Sequence, residues 1–125
     1  MVDLLELASA WLDDQRKLFL SRPVTYSRGE ATVAILATVG KTTFEIDSTT
    51  GVTETFESRD YIVLVADLAI NGAPLKPQRG DTITDVQSGQ TLVYEVTGPG
   101  HEPCWRWSSP YRTSRRIHTK QVGGP

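Results

Sequence analysis

Two hydrophobic periods divide the chain. Over residues 3–20, Leu4, Ala8, Trp11, Leu12, Leu18 and Phe19 recur at three- and four-residue spacing, which places them along one face of an α-helix. Asp3 stands at the N-cap position with Glu6 three residues on, as in a capping box. Pro23 cannot continue a helix and ends it. The pattern predicts a helix over 3–20 that packs on the domain's own sheet or on a neighbouring subunit. Amphipathic stripes usually serve their own core.

From residue 24 onward the period is two. Val33, Ile35, Ala37 and Val39 share one face of a strand over 31–39, and Thr32, Ala34, Leu36 and Thr38 share the other. Further strands are predicted over 24–27, 42–46, 52–58, 61–65, 80–86, 91–96, 105–107 and 113–122, with Ile83 buried. Turns fall at Arg28-Gly29-Glu30, Gly40-Lys41, the polar cluster 47–51 and Ser88-Gly89. Fifteen threonines and eleven valines suit such pleated, half-buried surfaces. Short strands at this spacing predict a mainly β fold: a small antiparallel β-barrel or sandwich over 24–122, preceded by one N-terminal α-helix, as a single domain over 1–125. Residues 66–79 break the alternation. Asn71-Gly72, Pro74 and Pro77 read there as a long connection without a strand partner, mobile in the free subunit and ordered on assembly.

With 125 residues the chain fits one domain able to bury a core without staples. The 38% of hydrophobic and 22% of charged residues argue against a disordered or membrane class, and no apolar stretch approaches a membrane span. Acids early in the N-terminus and no basic leading region argue against a signal peptide. A single cysteine, Cys104, excludes an intramolecular disulfide. Charge is polarised. Residues 101–125 carry a net +4, and the first 100 carry −6. An acidic body with a basic C-terminal end can meet a copy of itself, or an acidic partner, head to tail. The plainer alternative is a solvated basic strand.

Candidate chemistry is sparse. His101, Cys104 and His118 supply three possible metal ligands, one short of a structural zinc set. No nucleophile signature surrounds Cys104, which reads as a small apolar residue between two anchors. Gly98-Pro99-Gly100 lacks the helix and lysine of a phosphate loop. Arg79-Gly80-Asp81 reads as a turn feeding a strand, with Gly80 at a special backbone angle and Asp81 bonding locally. The carboxylates Asp47, Glu54, Glu57, Asp60, Asp81, Asp85 and Glu95 fall in no pocket that the sequence identifies, so no general-acid pair is supported. The Trp105-Arg106-Trp107 block with Tyr111, Arg112, Arg115, Arg116 and Lys120 mixes aromatic and basic groups as single-strand nucleic-acid platforms do. An isoelectric point near 5.6 favours a core or protein-interface reading of the tryptophans instead. No cofactor and no enzymatic activity are expected.

The order of parts resembles a known family. A helix containing ASAWLDDQRK precedes VTYSRGEATV; then come RDYIVLVADL, PQRGDTI as Pro77-x-x-Gly80-Asp81-x-Ile83, a YEV strand, and a close running from PCWRWS to RIHTK. This arrangement, over most of residues 8–122, is similar to the small head-tail joining or head-completion (neck) proteins of tailed bacteriophages and prophages. The resemblance implies a small β-barrel that adds to the portal vertex after DNA packaging. Copies form an oligomeric ring there, and the partners are the portal or adaptor and tail proteins. Location in the virion is implied, with the host cytoplasm during assembly or in a prophage; no membrane is involved and DNA contact is confined to the channel. No catalytic residues carry over.

Long loops and terminal segments make the contacts in that family, which maps interface candidates onto Asn71, Pro74, Leu75 and Lys76 and onto Arg112, Arg116 and Lys120. If Ile117 packs inward, Arg116 and Lys120 point outward in one row with Arg112 nearby. The alternative is a small β-barrel interaction module of another pathway.

Overall fold

The computed structural model describes residue 8, residues 21–47 and residues 51–124. Apart from Ala8, the helix expected over 3–20 lies outside the described residues. Nine strands follow in order: β1 Ser21–Arg28, β2 Ala31–Asp47, β3 Thr53–Leu64, β4 Ala69–Ile70, β5 Ala73–Pro74, β6 Thr82–Gln87, β7 Gln90–Val96, β8 Trp105–Trp107 and β9 Ser114–Gly123. All pairings are antiparallel. The large sheet runs β3-β2-β1-β6-β7-β9-β8, and β3 also pairs with β9, so six strands close on themselves.

The mainly β, antiparallel expectation holds; the barrel or sandwich is corrected to a ring-like sheet. Its circuit is uneven, with three residue pairs joining β1 to β6 and four joining β7 to β9 across a register shift at Val93/Tyr94. Among the described residues no second layer stacks on it as a sandwich requires, since the other sheet has only the two-residue strands β4 and β5. Two strands are also longer than the pattern predicts. Gly40 lies extended within the continuous β2, and Arg59-Asp60 lies within the continuous β3. Both interruptions mark places where side chains crowd rather than where the chain turns.

Alternation supplies the core. Val24 and Tyr26, Ile35 and Ala37, Tyr61 and Val63, Ile83, Tyr94 and Val96, and Ile117 form one buried cluster within the strand ring. Burying an Ile or Val side chain contributes about 1.5–3 kcal/mol. Leu68 and Cys104 extend the cluster, with Leu75 and Trp105 packed against it from the connections. The Cys104 thiol lies 3.7 Å from the Pro77 carbonyl, and burial pushes its pKa up, in keeping with a packing role.

The connection over 66–79 has structure of its own. Ala69 pairs with Pro74 and Ile70 with Ala73, while Asn71 and Gly72 take positive φ of 54° and 78°. Two successive positive φ angles make the tight turn that Asn-Gly favours between strands. The expected lack of a strand partner there is therefore corrected: Asn71-Gly72 makes the partner by turning the chain back. Ser88-Gly89 does the same between β6 and β7.

Candidate functional site

Three buried aspartates organise the strand ring. Asp81 sits where the Gln78–Asp81 turn feeds β6. Its carboxylate accepts from the Gln78 amide at 3.1 Å and its own amide donates to the Gln78 carbonyl at 3.2 Å. Gly80, at φ 93°, permits that turn. The Tyr26 hydroxyl donates to Asp81, and Arg28 pairs with it at 2.9 Å. Burial raises the Asp81 carboxyl, but hydrogen bonds from Arg28, Tyr26 and Gln78 outweigh it and hold the pKa below the ordinary value. Burial and the neighbouring Asp81 push the Tyr26 phenol well above its usual range. The Pro77-x-x-Gly80-Asp81-x-Ile83 segment thus closes one end of the interior.

Asp85 closes the other. Its carboxylate accepts from Tyr61 at 2.9 Å and from Arg59 and Gln87 at 3.2 Å each. Arg22 Nε stands 3.0 Å from Oδ1 as an ion pair, although its N–H does not point along a hydrogen bond. The Arg59 guanidinium also lies over the Tyr61 and Tyr94 rings at 5.4 and 5.1 Å.

Asp60 faces outward from the ring and is nevertheless fully buried. It accepts from Thr42, from Ser58 at 2.6 Å, from Arg116 at 2.9 Å and meets His118 Nδ1 at 2.9 Å. The Phe44 ring stands edge-on to His118 at 5.1 Å. Burial alone raises the Asp60 carboxyl; His118, Ser58, Thr42 and Arg116 together outweigh it and hold the pKa at about 2. Gly40 explains how Arg116 reaches this carboxylate, since a Cβ there would stand 2.9 Å from Arg116 Nη1.

A serine, a histidine and an aspartate in contact invite comparison with a nucleophilic triad. The geometry is different. Ser58 Oγ donates to the Asp60 carboxylate and also lies 3.4 Å from Nδ1, the same ring nitrogen that meets Asp60. A proton relay requires serine and aspartate on opposite nitrogens. The trio holds β2, β3 and β9 together.

A different cluster forms at the Asp81 end. The Trp105 and Trp107 rings meet edge-on at 5.0 Å, with the Arg115 guanidinium 4.7 and 5.2 Å from their centroids. Arg112, at a positive φ of 58°, lies 5.8 Å from Trp107. Arg115 is buried; its Nη1 donates to the Leu75 carbonyl at 2.8 Å, and its Nε has no hydrogen-bond partner among the described residues. Desolvation lowers its pKa, opposed only by Tyr26. Arg115 thereby fastens the β4–β5 connection to β9.

The expected interface residues are dispersed. Leu75 is half-buried and Arg112 exposed beside the tryptophans, while Asn71, Pro74 and Lys76 are exposed on the neighbouring connection. Arg116 lies half-buried on the outer face, held there by its ion pair with Asp60. Lys120 is exposed at the Asp85 end, lining a recess of about 350 Å³ with Lys41, Glu57, Arg59 and Tyr94. His101 is exposed and His118 buried.

Comparison with known families gives one result: the model described as phage head-tail joining protein matches residues 2–125, essentially the whole chain. No curated protein matches it.

Proposed function

Because this chain belongs to the phage head-tail joining protein family, we propose that it is a non-enzymatic structural subunit of the virion neck, forming an oligomeric ring at the portal vertex. The whole-chain family match carries this reading. Its partners are other copies of itself, the portal or adaptor protein and the tail; any DNA contact is confined to the channel. It resides in the virion after assembly in the host cytoplasm.

The architecture suits such work. A strand ring fastened at both ends by buried carboxylates is a stiff body, and the exposed residues of its connections are left for contacts. The candidate contacts are Arg112 and Lys120 on opposite ends, with Asn71, Pro74, Leu75 and Lys76 on the β4–β5 connection. Arg116 enters through its ion pair with Asp60.

Deletion of the gene tests the reading. The expected result is DNA-filled heads and free tails that do not join, with joining restored when purified chain is added. Normal joined particles in its absence would favour the alternative, an interaction module of another pathway.

A further inference from the structure

One residue on the β4–β5 connection carries chemistry that the strand ring does not use. Asn71 is the single asparagine of the sequence, and glycine follows it. Both are exposed at the turn between β4 and β5, with φ of 54° and 78°. Among the described residues, a Cβ added to Gly72 would meet nothing within 4 Å, so the turn stands in open space. Two residue pairs hold its flanks, Ala69 with Pro74 and Ile70 with Ala73. Beyond them the Leu75 amide donates to the Leu68 carbonyl at 3.0 Å, and the Leu75 carbonyl accepts from Arg115 at 2.8 Å.

Asparagine is a thermolabile residue. A glycine after it leaves the side chain most open to attack from the backbone, because glycine has no Cβ and the widest conformational freedom. A pair of two-residue strands is marginal by itself. The turn can therefore loosen locally while the strand ring stays closed.

We infer that Asn71 is a site of spontaneous covalent modification, losing its side-chain amide to attack by the Gly72 backbone nitrogen when the β4–β5 turn loosens. The Gly72 N–H gives its proton to solvent base, and the nitrogen attacks Asn71 Cγ. A nitrogen–Cγ bond forms, the Cγ–Nδ2 bond breaks, and Nδ2 leaves as ammonia after taking a proton from water. The product is a cyclic imide. Water then opens it at either carbonyl. Opening at Cγ leaves an ordinary aspartate at position 71. Opening at the main-chain carbonyl leaves an isoaspartate, whose chain runs through Cγ. Water is the only co-reactant.

The two products affect the connection differently. Aspartate tolerates positive φ as asparagine does, so the hairpin persists and gains one negative charge. Isoaspartate adds an atom to the main chain inside a two-residue turn, whose length sets the register of its strands. Ile70 then no longer meets Ala73. Pro74, Leu75 and Lys76, candidate contacts of the proposed neck subunit, lie on the same connection. The modification itself stands without the neck reading.

Incubation of the purified full chain in mildly alkaline buffer tests it, read by mass spectrometry of proteolytic peptides. Conversion is expected at position 71 to aspartate and isoaspartate, the latter identified by enzymatic methylation, with ammonia released in equal amount. The chain held in denaturant sets the unrestrained rate, and the folded chain is expected to convert severalfold more slowly. Arg115→Met removes the bond to the Leu75 carbonyl and is expected to quicken conversion severalfold in the folded chain. Asparagine retained at position 71 of the folded chain until the denatured one is fully converted, or retained in both, would overturn the inference. A folded chain converting as fast as the denatured one, or an Arg115→Met rate equal to the parent's, would overturn loosening of the turn as the route. The neck reading fails separately, by absence of the chain from purified particles, whatever happens at position 71.

Discussion

At Asp60 one carboxylate serves four side chains, and acid titration reads it directly. Its pKa is about 2 in the fold against an ordinary value near 3.9 unfolded. On acidification the unfolded chain takes up the proton first. The stabilisation is complete above roughly pH 4 and is lost as pH falls through about 2, amounting to about 2 kcal/mol. Asp60→Asn is therefore expected to lower stability at neutral pH and to flatten the loss between pH 4 and pH 2. Denaturant melts across that range check it, and an unchanged acid limb would show that Asp60 is not the group responsible. Asp60 appears in the sequence as one of many carboxylates because its partners are remote. Thr42 lies 18 residues away and His118 58, and no local pattern announces contacts that only strand register creates. Asp81 is different. Its bonds to Gln78 are local, so the Pro-x-x-Gly-Asp turn was legible.

Strands read well where one face is buried and the other wet. Residues 31–39 show the alternation, and Trp105–Trp107 was delimited by its own flanking turns. The pattern failed where a special residue had a tertiary reason. Gly40 made a turn plausible, yet it serves the approach of Arg116. Asn71-Gly72 reads in the sequence only as part of a long connection, because its flanks are two residues long and carry no alternation to reveal β4 and β5. That short hairpin cannot be stable alone; Arg115 and Leu75 attach it to the body. Arg115→Met keeps a long apolar stem while removing a buried charge that no carboxylate among the described residues offsets. Such replacements are often neutral, so melting should change by about 1 kcal/mol or less. The amides of residues 69–75 should exchange with solvent faster. Equal exchange in both proteins would mean that apolar packing of Leu75 alone holds the connection.

For the molecule as a whole, closure links every strand of the ring to every other. Ile117 sits at the joint, opposite Tyr61 on β3 and Trp105 on β8, and is fully buried. Ile117→Ala should cost about 2–5 kcal/mol. The loss should register equally at β1, β3 and β7, since a ring opened at one seam has no independent half. Hydrogen exchange resolved by strand is the measurement, and a loss confined to β8 and β9 would show that the other strands stand without closure.

That seam also sets a schedule for the chain as it is made. β9 follows every other strand of the ring in sequence, and its β3 partners lie some 50 to 60 residues earlier. Until β9 exists, β3 and β7 each present a bare edge, the kind of surface on which unfinished chains associate wrongly. Such distant pairings are also slow to form, because the intervening chain must be ordered first. A nascent subunit therefore passes through a vulnerable interval that ends only when β9 reaches β3. The same strand bears Arg115, which anchors the β4–β5 connection, and Arg116, which completes the Asp60 cluster. Closing the strand ring and acquiring these two contacts thus become a single event.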